Sequence, residues 1–401
     1  MKRIGLMKNT VQEYAWGSHT AIAELLGNGS PSKTPQAELW MGAHPKAPSM
    51  VKCDGNWISL LKLIEQNPGH LLGKKVAVKF NNRLPYLFKV LAAAKPLSIQ
   101  AHPSVDQAKQ GFEWENRQGI PLDAYNRNYK DDNHKPECIC AMTRFRALNG
   151  FRKISSIFGL MEKICPKGLK KQLGALRGQQ SPMALKNFFQ SLMTMNHKQK
   201  TQIISHAVSN AKKFTDDDPA YRWMIDLHKQ YPADVGVFSP ILLNLICLEP
   251  GQAMFLPAGE LHAYLDGVGI ELMANSDNVL RGGLTPKHID VPELLNVLNF
   301  EERKVNILKT EQINECERLY ESHAEEFVLS IIHVREGITY NSSAHRSIEI
   351  LLCTDGKATI TDLEKNDTIV IEKGKSIIIP AVVKTYRIQG NAAFYKAAVP
   401  L

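Results

Sequence analysis

The chain has little cysteine and no order in what it has: seven residues among 401, an odd number at irregular spacing. That argues against a disulfide framework and for reduced thiols in a cytoplasm. The one close pair, Cys138-x-Cys140, reads as buried strand packing rather than as a metal knuckle. Long apolar runs are missing as well. Nothing approaches the about 18 residues of a membrane span, and residues 241–248, broken by Asn244, are near the longest. The opening stretch, Met1 to Lys8, holds no apolar core of signal-peptide length, so a cytoplasmic protein without membrane association is expected. Clustered charge is absent too. Lys and Arg outnumber Asp and Glu by 49 to 40, giving a formal charge of +9, but they are scattered. Without a run of about five or six basic residues no nucleic-acid partner is expected, and a dispersed surplus suits a small phosphorylated anion. What remains is ordinary for a soluble globular enzyme: 44% hydrophobic and 22% charged residues, in a chain long enough for two or three domains. A monomer is expected.

The most informative stretch is Gly251-Gln-Ala-Met-Phe-Leu-Pro257-Ala-Gly259-Glu-Leu-His262-Ala-Tyr264. Residues 252–256 read as a short buried strand, and Pro257-Ala-Gly259 forces a tight turn. A second strand over 261–265 then places His262 and Tyr264 on one face, because strand side chains alternate. A single histidine after a turn is more often structural, but the full spacing G-x5-P-x-G-x2-H reverses that balance. It resembles the second motif of the cupin superfamily, whose jelly rolls hold a metal inside the barrel. After that histidine the family pattern continues with x3-N; here the Asn position is Asp266, a departure.

Elsewhere the pattern alternates between strands and helices. Helices are expected over 20–26, 57–66 and 104–118, the last with Ser104 as N-cap. Residues 37–41 read as a short strand whose Glu38 is either an edge charge or a site residue. Strands are expected over 84–92 and 97–102, with Ser98, Gln100 and His102 sharing one face and Ile99 and Ala101 the other. After a loop over 121–133, a strand beginning at Lys135 puts Lys135 and Glu137 on the same face. Between 151 and 231 the apolar positions recur with helical period, as in Leu185, Phe188, Phe189, Leu192 and Met193 after the helix start Ser181-Pro182. Residues 286–299 also look helical, and 305–401 form a strand series. Within it, Gly374-Lys-Ser-Ile-Ile-Ile-Pro380 repeats the G-x5-P of Gly251 to Pro257, with Thr385 aligned to His262. The expected fold is mainly β with an α-helical insertion and two cupin-type jelly rolls, the second degenerate. The units are 1–150 with 236–300 for the central metal-binding domain, 151–235 for the helical domain and 301–401 for the C-terminal one.

Gln100-Ala-His102, Glu137 and His262 on inward strand positions form a plausible metal shell. The same residues carry a wider resemblance. Gln100-Ala-His102-Pro103, Asn128-Tyr-Lys-Asp-Asp-Asn-His134-Lys135-Pro136-Glu137, the stretch around His262, and Asn278-Val-Leu-Arg281-Gly-Gly-Leu-Thr-Pro286-Lys287 resemble type I mannose-6-phosphate isomerases over nearly the whole chain. The resemblance implies a Zn²⁺-dependent interconversion of mannose 6-phosphate and fructose 6-phosphate, with one Zn²⁺ per chain held by Gln100, His102, Glu137 and His262. It places the family's catalytic arginine on Arg281. For the base, Glu271, Asp277 and His134 stay open; Glu271 serves either in that role or to orient His262 or Arg281. Ser98, Lys135 and Lys287 are the candidates for the phosphate, with Lys89 a further one, and Tyr264 is expected to line the substrate site. The competing class is a cupin of another kind, an Fe-dependent oxygenase or a non-catalytic sugar-binding module, which turnover without oxygen would separate from an isomerase.

Overall fold

The computed structural model describes residues 3–401. Its architecture is mainly β, with a helical insertion between the motif-bearing strands. Among the described residues the strands form one ten-stranded and one eleven-stranded sheet, and no helix is long and apolar enough to cross a membrane.

The ten-stranded sheet is built around the strand His262–Ala274. Its first residues pair with Phe145–Phe151 and Ile99–Ala101. Its later residues pair with Tyr86–Ala93 and Glu137–Ala141. The short strand expected over 261–265 is thus the start of a much longer one. The register shifts between Tyr264 and Asp266, which leaves Leu265 as a bulge. One extra residue reverses the parity of every side chain beyond it. Before the bulge His262 and Tyr264 point inward; after it Glu271 and Met273 do. Asp266, which departs from the cupin pattern, falls on the outside and pairs with Arg146 at 3.0 Å. Gly267 follows with φ 118°, and a Cβ there would lie 2.7 Å from the Arg144 carbonyl oxygen, so a side chain does not fit.

The insertion consists of Ile154–Ile164, Lys170–Gln179, Pro182–Met193, His197–Ala211 and Pro219–Gln230. Its helix starts are legible. Ser181 accepts from the Ala184 N–H with Pro182 in the first turn, and Asn196 and Gln199 form a capping box. The stripe Leu185, Phe188, Phe189, Leu192 and Met193 is buried, in a core continuous with Ile99, Ala101, Leu261, Ala263 and Leu280. Those are the outward alternates of Gln100, His262 and Arg281. The insertion therefore braces the back of the strands whose front faces line the barrel.

Two expected helices are shorter. Trp57 belongs to the strand Asn56–Ser59, and the helix is Leu60–Gln66. Of 286–299 only Val291–Val297 is helical, because Asp290 caps it through the Glu293 N–H. The partition into 1–150 with 236–300, 151–235 and 301–401 also crosses a shared sheet. Gly5–Lys8 pairs with both Met50–Cys53 and the C-terminal strand Ser376–Ile379. An otherwise open edge is covered from the far end of the chain, and Phe88, Leu272, Phe327 and Ile350 join one core.

Register makes the internal repeat concrete. Glu137 lies across from Leu256, the residue before Pro257, and Glu349 lies across from Ile379, the residue before Pro380. Ile139 pairs with Glu271, and the matching Leu351 pairs with Lys396. Glu38 and Glu317 correspond likewise, each standing two residues before the one opposite the next strand's central position. In the C-terminal unit Lys396 Nζ lies 2.6 Å from Glu317 and 3.6 Å from Glu349. Arg346 reaches the other oxygen of Glu349 at 3.2 Å. A fixed ammonium and guanidinium thus compensate the carboxylate that corresponds to Glu137. Among the described residues, His, Cys, Asp and Glu come close enough to hold a metal only in the central unit.

Replacing Lys396 by Met should cost roughly 3–5 kcal/mol, since it strands Glu317 as an uncompensated buried charge. Adding Glu317→Gln should restore at least half of that loss. Chemical denaturation of the single and double variants checks this; equal destabilisation in both would mean that charge compensation is not what the ammonium provides.

Candidate metal centre

Three elements deliver the ligand-type side chains to one point. His102 follows the strand Ile99–Ala101, Glu137 opens Glu137–Ala141 and His262 opens His262–Ala274. The turn before His262 is latched to His102: the Gly259 N–H donates to the His102 carbonyl at 2.8 Å. Gly259 has φ 78°, and a Cβ would sit 3.1 Å from the Val297 carbonyl, so the turn depends on glycine there.

One ligand atom from each of His102, Glu137 and His262 falls within 4.8 Å of the others, and all three side chains are buried. His102 Nε2 lies 3.2 Å from Glu137 Oε1, and His262 Nε2 lies 3.5 Å from Glu137 Oε2. Neither Nε2 has a hydrogen-bond partner. The opposite ring nitrogens are engaged: His102 Nδ1 with the Asn278 carbonyl at 2.7 Å, and His262 Nδ1 with the Glu260 carbonyl at 2.9 Å. A carbonyl can only accept, so each Nδ1 carries the proton and each Nε2 presents its lone pair to the shared space. Two buried orphaned imidazole lone pairs facing one carboxylate are what a divalent metal satisfies, and the donor set suits zinc.

The charges agree with that reading. Burial and the Lys135 ammonium push His102 down to about 4, so its ring is neutral. Burial would raise Glu137, but the Lys135 ammonium above all opposes it, and the carboxylate is held charged, well below its usual range. Lys135 Nζ is 3.0 Å from Glu137 Oε1. Tyr264 donates to Glu137 Oε2 at 3.3 Å, and burial followed by that carboxylate keeps the phenol protonated.

Beside the cluster runs a row of cross-strand neighbours: His262 lies opposite Gln100, and Gln100 lies opposite Arg281. Directly opposed residues share a sheet face, so Gln100 and Arg281 look into the same space as His262. Arg281 is half-buried and, among the described residues, its guanidinium has no hydrogen bond or ion pair.

Comparison with known proteins matches this geometry to a family. Residues 5–154 match the phosphomannose isomerase type I catalytic domain, and 167–243 match its helical insertion domain. Residues 317–398 match the mannose-6-phosphate isomerase cupin domain. The mannose-6-phosphate isomerase of Escherichia coli K12 is 42% identical over 387 residues, covering 96% of each chain. The chain belongs to the type I phosphomannose isomerases. Its human relative, also a mannose-6-phosphate isomerase, is 33% identical over 94% of each chain. Among solved structures, a single-residue variant of phosphomannose isomerase from Salmonella typhimurium superposes with a TM-score of 0.91 at 38% identity, covering 99% of this chain and 100% of that one. A zinc-bound mannose 6-phosphate isomerase gives 0.90 at 38%, with the same coverage.

The other expected residues of this family member scatter around the cluster. Glu271 is buried on the inner face, 2.8 Å from Lys89, and Lys89 is 3.5 Å from Glu38. Burial raises Glu271 while Lys89 opposes the shift. Burial alone would lower Lys89, yet Glu271 and Glu38 hold it firmly protonated, so it is engaged inside the barrel rather than free for a phosphate. Asp277 is paired with Lys46 at 2.8 Å and His44 at 3.5 Å. Burial would raise it, but those two partners hold it well below the usual carboxylate range, which makes it a weak base. His134 lies against Glu326 at 2.6 Å, on the side opposite to Lys135. Ser98 is half-buried and Lys287 is exposed; burial and Arg281 lower the Lys287 ammonium, which places the two cations near one another.

Asn278 had no assigned role in the sequence. Its side-chain oxygen accepts the Lys130 N–H at 2.6 Å, and its amide donates to the Asp131 and Asn133 carbonyls at 2.8 Å each. With its own carbonyl holding His102, it couples the 130–134 loop to a ligand imidazole. A fully satisfied buried Asn leaves no periodic signal in a sequence; only its place in the quoted motif pointed to it.

His262→Ala and Glu137→Ala should each lower bound divalent metal from one per chain to none after dialysis, with the circular dichroism retained. A chain of this size does not need a metal to close its core. Full metal occupancy in either variant would remove that residue from the ligand set.

Proposed function

We propose that this chain interconverts mannose 6-phosphate and fructose 6-phosphate with one zinc ion held by Gln100, His102, Glu137 and His262. The observation that carries the reading is the pair of orphaned, tautomer-fixed imidazoles facing Glu137, flanked by the unpaired Arg281. Zinc, when bound, supplies an electrophile that polarises the substrate's oxygens.

The rest falls to the protein. The C2 hydrogen leaves as a proton, the sugar passes through an enediolate, and a proton returns at C1 while the hydroxyl proton moves from O2 to O1. Glu271 is the proposed proton carrier, because it stands on the inner face and burial raises its affinity for a proton, though Lys89 opposes the shift. Asp277 is held charged by His44 and Lys46 and is less suited. Lys135, buried beside Glu137, and Arg281 present fixed cations to the oxygens that gain charge. Arg281 remains protonated even with burial lowering its pKa and cannot serve as the base. Lys287, at the exposed end of the same segment, is proposed to meet the phosphate together with Ser98. Lys130 joins them, since Lys46 and Arg281 both lie within electrostatic reach of it.

A coupled assay for fructose 6-phosphate tests the activity: turnover should be abolished by chelator, restored by zinc, and unaffected by removing oxygen. Persistent chelator-resistant turnover, or an oxygen requirement, would refute it.

Arg281 and Lys287 should separate kinetically. Arg281→Ala removes an interaction strongest in the transition state, so kcat and kcat/KM should fall together by about 10²-fold or more. Lys287→Ala should mainly raise KM, and added salt should weaken the wild type more than this variant. Steady-state kinetics across ionic strength decide; a normal kcat with raised KM in Arg281→Ala would make Arg281 a phosphate clamp.

A further inference from the structure

Glu326 belongs to the C-terminal unit, in the segment leading into the strand Val328–Val334. Its side chain is only 10% exposed, and Oε1 lies 2.6 Å from His134 Nε2. The other oxygen, Oε2, is buried with no partner. A carboxylate taken out of water for one imidazole, with its second oxygen left unsatisfied, is an expensive arrangement that native folds seldom keep without a use. Burial would raise Glu326, yet His134 more than offsets it.

The neighbours show what the contact fixes. Ala324 and Phe327 are buried in the same core as Tyr86, Phe88, Cys138 and Cys140, so the Glu326 backbone is anchored against the strands that form the site. On the other side, the Asn133 carbonyl is held by Ser276 and Asn278, and the Pro136 carbonyl by the Ala274 N–H. Between those fixed points lie only His134 and Lys135. Pro136 fixes its own φ and confines Lys135 to extended backbone, so the segment is stiff. In extended backbone consecutive side chains point to opposite sides. His134 accordingly faces Glu326, and Lys135 faces Glu137 at 3.0 Å. Any roll of this segment that let His134 leave Glu326 would swing the Lys135 ammonium away from the cluster.

We propose that Glu326 is a positioning residue: through His134 it sets the orientation in which Lys135 is presented to the reacting oxygens. The C-terminal unit thereby contributes to catalysis without touching substrate. This inference rests on the reading of Lys135 as a cation at the reacting end of the site.

The test uses the zinc-loaded full chain. Glu326→Gln keeps the shape and removes the charge; kcat should fall about 10-fold to 100-fold, with metal stoichiometry still one per chain and KM changed far less than kcat. Glu326→Asp, which retains the charge, should recover a large part of the rate. Because the effect passes through His134, the double variant Glu326→Gln with His134→Ala should be no slower than His134→Ala alone. Glu325→Gln, which breaks the neighbouring exposed pair with Lys79 at 3.0 Å and leaves Glu326 and its cationic neighbours in place, should behave as wild type. Wild-type kinetics in Glu326→Gln, additive losses in the double variant, or a rate loss matched by loss of metal would each overturn the proposal. Lys135→Met separates the two layers: full activity there refutes the role of Lys135 itself, whereas an inactive Lys135→Met beside an unimpaired Glu326→Gln refutes only the positioning.

Discussion

The structure depends on keeping the Glu137 carboxylate charged inside a barrel. A buried anion is tolerated only when opposite charge and hydrogen bonds surround it. Here Lys135 stands beside it at 3.0 Å and Tyr264 donates to it, while two imidazole Nε2 atoms without a hydrogen-bond partner face it and leave room for a cation. Those imidazoles can turn lone pairs inward only because backbone carbonyls hold their other nitrogens. The carbonyls are in turn placed by Asn278 and by the Pro257–Gly259 turn. Removing any part of this arrangement leaves the others oriented toward a charge that is no longer balanced.

The C-terminal unit answers the same constraint differently. At the position matching Glu137 it keeps a glutamate, Glu349, and at the position matching Glu38 it keeps Glu317. Lys396, which replaces the acid Glu271, bridges the two, and Arg346 completes the compensation. An internal ammonium is a permanent counter-ion: it cannot dissociate or accept a substrate oxygen. The central barrel has fixed ammoniums too, Lys135 and Lys89, but beside them it keeps two unpartnered imidazole Nε2 atoms that a metal can satisfy, whereas the C-terminal positions carry fixed cations. This explains why the chain can duplicate a fold while concentrating its ligand-type chemistry in one copy.

The helical insertion and the C-terminal unit hold the site from outside. The alternation at Ile99-Gln100-Ala101 sends Gln100 inward and its neighbours into the helical core. The contact of His134 with Glu326 ties the entry to Glu137–Ala141 to the other unit. Both supports exploit strand parity, in which a residue packed on one side fixes its neighbour on the other.

Much of this was legible in the chain. The G-x5-P-x-G-x2-H spacing places a turn and an inward histidine because proline and glycine restrict the backbone locally, and helix starts such as Ser181-Pro182 follow from capping chemistry of the same short range. The inward set of Gln100, His102, Glu137 and His262 followed from period-two alternation within single strands. The bulge at Leu265 did not, since an extra residue is visible only against a partner strand's register; without it Glu271 would face away from His262. The pairing of Gly5–Lys8 with Ser376–Ile379, the burial of Lys89 between two acids, the capture of Asp277 by His44 and Lys46, and the contact of His134 with Glu326 join residues far apart in sequence. The sequence by itself determined the local turns, the helix stripes and the residue types offered at the candidate metal cluster, because those depend on neighbouring residues. Tertiary structure alone decided which charges are compensated and which remain free, because burial and partnership are properties of residues brought together in space.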